Sequence, residues 1–183
     1  MRHFFGCLVL VILSATAARA TVVIPADLTE LANNAQWIVR GEVVDVSGQW
    51  ADNRRAIETV VTLQVEAALK GSPGETVTFR VAGGTLGRYR SIVVGAPEFA
   101  VGQRVIVFLG ANGPIIPYLV GFHQGVYRIS STTNGTTVVM PPADAASTAP
   151  SPAPDAGRGA PTRVPVPLND FERRVRTLTG DVQ

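Results

Sequence analysis

From Ile57 to Leu69 the chain alternates without a break. Ile57, Thr59, Val61, Leu63, Val65, Ala67 and Leu69 fall on one side, and Ala56, Glu58, Val60, Thr62, Gln64, Glu66 and Ala68 on the other. A period of two belongs to an extended strand, whose successive side chains point to opposite faces, so this tract is expected to bury one face and wet the other. At about 3.3 Å per residue it spans on the order of 40 Å, more than a flat sandwich strand needs but reasonable for a strand that bends around a small barrel. Gly71-Ser72-Pro73-Gly74 ends it, and Val77, Phe79 and Val81, alternating with Thr76, Thr78 and Arg80, bring the chain back as the second arm of a hairpin.

The neighbouring segments carry the same β signal. Asp27 stands where a helix cap belongs, with Glu30 three residues on, so a short helix is expected to about Ala35. Trp37 to Val46 then reads as a strand with Trp37, Val39 and Val43 facing in and Arg40 and Glu42 facing out. Ala82 to Gln103 holds Gly83, Gly84, Gly87, Gly95 and Gly102 and reads as a looping excursion, with a short strand at Ser91 to Val94. Arg104 to Leu109 and Tyr118 to Phe122 read as buried strands either side of Gly110-Ala111-Asn112-Gly113-Pro114. Asn134-Gly135 between Val126–Thr133 and Thr136–Met140 predicts a hairpin closed by a two-residue turn. The fold class expected is mainly β: a small antiparallel barrel over residues 21–140, with short helices at its two ends.

The ends of the chain differ from its middle. Arg2 and His3 precede an apolar run from Phe4 to Leu13, and Ala18-Arg19-Ala20 forms a small-residue cleavage site, so residues 1–20 read as a secretory signal peptide. A membrane span needs about 20 apolar residues, and Arg19 interrupts this run too early. Cleavage removes Cys7, the only cysteine, together with Arg2 and Arg19, which leaves fourteen basic against fourteen acidic residues. A neutral mature chain has no general attraction for phosphate backbones, so nucleic acid is not an expected partner, and no membrane attachment is expected after cleavage. Eight of the 13 prolines lie between Pro141 and Pro167, which predicts an extended, poorly ordered Pro/Ala-rich linker at 141–167. Beyond it, Leu168, Phe171, Val175 and Leu178 recur at helical spacing behind a capping Asn169, an amphipathic helix at 168–179 whose stripe packs on the barrel or docks on another protein.

Three segments carry a family resemblance. Ala35-Gln36-Trp37-Ile38-Val39-Arg40-Gly41-Glu42-Val43-Val44, Leu63-Gln64-Val65-Glu66-Ala67-Ala68-Leu69-Lys70-Gly71 and Gly102-Gln103-Arg104-Val105-Ile106-Val107-Phe108-Leu109 resemble three successive barrel strands of the netrin-like domain, the OB-type module of tissue inhibitors of metalloproteinases. The stretch from Leu28 to Ile129 also resembles a family of exported bacterial proteins without an assigned activity, on Gly83-Gly84, Gly95-Ala96-Pro97-Glu98-Phe99 and Gly121-Phe122-His123-Gln124-Gly125. The likeness implies an OB-like fold and, through the inhibitors, a partner among secreted metalloproteases. Those inhibitors chelate the protease zinc through a disulfide-anchored N-terminal cysteine, where this chain offers Thr21.

Catalytic groups are sparse. His123 is the one histidine left after cleavage, too few for a two-histidine metal site, and it reads as a strand-end residue bonded to backbone or water. Lys70 reads as a solvated strand end, Glu58 and Glu66 as charges on a wet face, and Asp52 with Arg54 and Arg55 as an exposed ion pair in a turn. The expectation is therefore no enzyme, no cofactor and no metal, but an exported, periplasmic or extracellular module that binds a protein. Trp50, Arg54 and Arg55 between the first two strands, and Arg88, Tyr89, Arg90 and Phe99 in the excursion, are the candidate partner-binding residues, because Arg, Trp and Tyr dominate interface hot spots. Two alternatives stand beside this reading: an inhibitor or accessory of a secreted metalloprotease, and a cell-envelope structural protein. N-terminal sequencing of exported material is expected to begin at Thr21; an N-terminus at Met1 would refute the signal assignment.

Overall fold

The alternation from Ile57 to Leu69 is realised as one continuous strand, β2 (Ile57–Lys70), in a computed structural model that describes residues 27–51, 54–111, 113, 115–142 and 164–180. The fold is mainly β with one helix near each end of the described chain. Helix α1 (Leu28–Asn34) precedes β1 (Trp37–Trp50); β2, β3 (Thr76–Ala82), β4 (Gly84–Leu86) and β5 (Tyr89–Ser91) follow. The chain then forms β6 (Arg104–Gly110), β7 (Tyr118–Leu119), a 3-10 turn (Phe122–Gly125), β8 (Val126–Ser131), β9 (Thr137–Met140), β10 (Val166–Pro167) and α2 (Leu168–Thr179). The segment read as a signal peptide, the Asp52 turn residue and most of the Pro/Ala-rich stretch lie outside the described residues.

β2 is hydrogen-bonded along its length to β1, from Ile38↔Lys70 to Trp50↔Ile57, and along its first half to β3. Three register shifts interrupt the β1–β2 ladder. Each such irregularity bends a strand and raises its twist, which lets two long strands curve rather than lie flat. The sheet order is β1-β2-β3-β7-β6-β8-β9-β10, and β1 pairs with β6 as well, from Trp37↔Leu109 to Glu42↔Arg104. Every pairing is antiparallel except the single bridge Arg80↔Tyr118 between β3 and β7.

Alternation sorts the apolar side chains into two clusters. Val39, Val43, Val61, Leu63, Val77, Phe79, Val105, Val107 and Leu109 fill one, enclosed by the strands. Ile38, Leu69, Ile106, Phe108, Tyr127 and Val139 belong to the other, roofed by Leu31 of α1 and by Leu168, Phe171 and Val175 of α2. The C-terminal helix thus packs back on its own sheet, with the Phe171 and Tyr127 rings 4.7 Å apart.

Several expectations need correction. β1 does not stop at Val46: it runs to Trp50, because β2 offers pairing partners that far. Within the excursion, β4 and β5 form a hairpin that precedes the strand expected at Ser91 to Val94. Tyr118 to Phe122 is not a buried strand; β7 ends at Leu119, and Tyr118 and Phe122 are exposed. The β8–β9 hairpin forms, but the ladder ends at Ser131↔Thr137, and Gly135 N–H donates to the Thr132 carbonyl at 2.9 Å, with Gly135 at φ +77°. Thr132 N–H donates to Thr136 O at 2.9 Å, so a loop of three residues, 133–135, with one left-handed glycine replaces the two-residue turn. The expected linker does not reach 167, since Val166 and Pro167 pair with Val139 and Val138; Pro167, not Asn169, occupies the cap of α2. Glu58 does not sit on a wet face, being only 9% exposed.

Polar side chains tie the two cores together. Lys70 is not a solvated strand end: its Nζ donates to the Ala32 carbonyl at 2.7 Å and the Ala35 carbonyl at 2.6 Å, capping the C-terminus of α1 where the helix dipole favours a cation. Arg104 grips Glu66 with two hydrogen bonds, Nε to Oε1 at 2.8 Å and Nη2 to Oε2 at 2.6 Å, and this bonding holds the Glu66 carboxyl below the usual carboxylate range. Arg40 Nε lies 3.6 Å from Glu66 Oε2 and 3.1 Å from Glu172 Oε1; the latter contact is buried but out of line for a hydrogen bond, so it is Coulombic. It fastens α2 to β1. Lys70→Met is expected to lower unfolding stability by about 1–2 kcal/mol in denaturant titrations. Burial pushes the Tyr127 hydroxyl up to about 12. A raised folded pKa keeps its contribution below pH 10 and loses it as pH climbs towards 12, so calorimetry should record on the order of 2–3 kcal/mol lost across that window, and Tyr127→Phe should abolish the loss.

Candidate functional site

β1 and β2 close at Trp50↔Ile57, and the connecting turn is drawn together by Ala51 N–H donating to Ala56 O at 2.9 Å and Arg54 N–H to Ala51 O at 2.7 Å. Arg54 is held at φ +49°, a left-handed conformation uncommon for a side-chain-bearing residue. Arg54 and Arg55 are both exposed. β3 leaves the sheet through Gly83, whose N–H donates to Ile57 O at 3.0 Å and whose carbonyl accepts from Thr59 Oγ1 at 2.8 Å. The chain then doubles into the β4–β5 hairpin, laid against β1 and β2. That approach needs glycines: a Cβ at Gly48 would run into the Thr85 carbonyl, and one at Gly84 into the Thr59 hydroxyl.

Packing the hairpin there brings Tyr89 to Trp50, ring centroids 5.6 Å apart and tilted 55°. Trp50 is 42% and Tyr89 47% exposed, so the pair is laid open rather than absorbed into the core. The Arg88 guanidinium lies 5.0 Å from the Tyr89 ring centre and donates through Nη2 to the Tyr89 hydroxyl at 2.8 Å. Arg90, exposed, sits on the same short strand as Tyr89. Six of the seven residues singled out in the sequence therefore belong to one end of the sheet, contributed by two separate segments.

Phe99 lies apart from this group. It is half-buried on the strand-enclosed cluster, its ring edge-on to Phe79 at 5.4 Å, an arrangement that favours the aromatic quadrupoles. Its loop is pinned on either side: His123 Nδ1–H donates to Gly95 O at 3.2 Å and Arg128 Nη2 to Glu98 O at 2.8 Å. His123 is thus engaged with backbone. Nothing in the apolar pattern of 92–103 distinguishes a residue that plugs a core from one that is displayed.

Among the described residues no group of three or more His, Cys, Asp or Glu side chains could hold a metal ion, and no helix is long and apolar enough to cross a membrane. No family model, curated protein or solved structure matches the chain.

Proposed function

We propose that the protein is an exported, non-catalytic binding module on an OB-type, netrin-like barrel, and that the end carrying Trp50, Arg54, Arg55, Arg88, Tyr89 and Arg90 engages a protein partner. The barrel reading is supported by the pairings β1-β2-β3-β7-β6, which return to β1, and by the apolar cluster those strands enclose. The binding reading rests on one observation: two segments well separated in sequence meet to display an aromatic pair, with the Arg88 guanidinium over one of its rings. Trp, Tyr and Arg supply large contact areas and multiple donors, and a few such residues carry most of the energy of an interface. Fourteen cations against fourteen acids in the chain from Thr21 onward make this segregation of four arginines a local feature.

Photo-crosslinking capture from the exported fraction, with the chain from Thr21 as bait, tests this. Trp50→Ala with Tyr89→Ala is expected to weaken the captured complex by about 2 kcal/mol or more, roughly thirtyfold in Kd, while leaving the thermal transition in place. Unchanged capture would remove this end of the sheet as the binding surface. A metalloprotease among the captured proteins, with its peptide hydrolysis slowed by added protein, would assign the inhibitor role; a cell-wall component would assign the envelope role.

A further inference from the structure

β3 and β7 run parallel but share only Arg80↔Tyr118, with Arg80 N–H donating to Pro117 O at 2.9 Å. β7 is two residues long, so beyond that bridge the strands part. Against them lies a cavity of about 230 Å³, lined by Val81, Leu119, the buried Glu58 and the part-exposed Arg80, together with the exposed Tyr118 and Phe122. This is smaller than the roughly 300–1,000 Å³ of sites for drug-sized ligands, which sets its occupant among smaller molecules.

Two of these residues are costly for stability alone. Glu58 is the one buried charged residue among the described residues. Its Oε1 accepts from Gln49 Nε2 at 2.8 Å, while its Oε2 stands 3.8 Å from Arg80 Nη1, beyond hydrogen-bond length. A carboxylate offers about four acceptor directions, and a buried ion pair seldom stabilises a fold better than apolar side chains of the same size. Phe122 is 53% exposed and held at φ +54°. A bulky residue in the left-handed region costs on the order of 1 kcal/mol, and a residue more than half exposed offsets little of it. Strain, a buried ion pair and displayed aromatic rings coincide on one cavity.

We propose that this cavity binds a free α-amino acid with an apolar or aromatic side chain, as its zwitterion. The ligand ammonium donates to Glu58 Oε2, its carboxylate accepts from the Arg80 guanidinium, and its side chain lies against Val81, Leu119 and the Phe122 ring. The adjacent minus and plus of Glu58 and Arg80 set the chemistry. A simple amine would meet the like charge of Arg80 and a simple acid that of Glu58, while a neutral amide would make only uncharged hydrogen bonds, about half as strong. The site is separate from the Trp50–Tyr89 surface and does not depend on a protein partner.

The test titrates the isotope-labelled chain from Thr21 onward with L-phenylalanine, and in separate arms with phenethylamine, 3-phenylpropionate and N-acetyl-L-phenylalaninamide. Saturable amide shifts at Val81, Leu119 and Phe122 are expected with L-phenylalanine, at least about tenfold tighter than with any of the other three. Glu58→Gln, which keeps the side-chain size, should weaken L-phenylalanine about tenfold. Phe122→Gly, which removes the ring and the Cβ at a left-handed position, should weaken it several-fold while holding or raising the thermal midpoint, and serves if Glu58→Gln does not fold. Absence of saturable shifts, shifts confined to other surfaces, or an analogue binding as well as L-phenylalanine would each overturn the proposal.

Discussion

Val105, Val107 and Leu109 point from β6 into the strand-enclosed cluster, while Ile106 and Phe108 point into the cluster roofed by the helices, so one seven-residue strand both separates and joins the two cores. Its edges are occupied as fully as its faces: β1 pairs along one side, β8 and then β7 along the other. Each large apolar side chain so enclosed contributes about 1.5–3 kcal/mol relative to exposure. No other described strand is buried on both faces over its length, and the helices, the long hairpin and the β8–β9 pair all take their places from this one.

Period explains what was legible beforehand. β3 and α2 were readable because each keeps one face drier than the other, and β2 because its apolar residues alternate along most of its length even though Glu58 is buried among them, so the pattern of apolar residues records the geometry. β6 has no such contrast, being apolar on both faces, so its strand character does not follow from period. The misjudged details share another cause. The extension of β1 to Trp50, the two-residue pairing of Val166 and Pro167, and the burial of Glu58 are each imposed by a neighbour distant in sequence. Local propensity carries no record of such neighbours.

The same division runs through the functional surface. Residue type alone placed Trp50 and Tyr89 among candidates for recognition, since large amphipathic rings with arginines nearby suit an interface wherever they are displayed. Their meeting depended on the β4–β5 hairpin folding onto β1, which glycine at 48 and 84 permits and which no run of alternating residues announced. Phe99 shows the converse: the same residue class, in the same excursion, turned inward. The Glu58 and Arg80 cavity left no mark on the sequence, because a charge alternating with apolar residues on a strand looks identical whether water or protein covers it.

The single lysine of the chain is engaged with two carbonyls of α1, and every other side-chain cation is an arginine or, at His3 and His123, a histidine. Guanidinium keeps its charge at any pH a folded protein meets. The arginines at the Trp50–Tyr89 end of the sheet therefore hold their charge through acidification and through the acylating reagents that consume lysine on other surfaces.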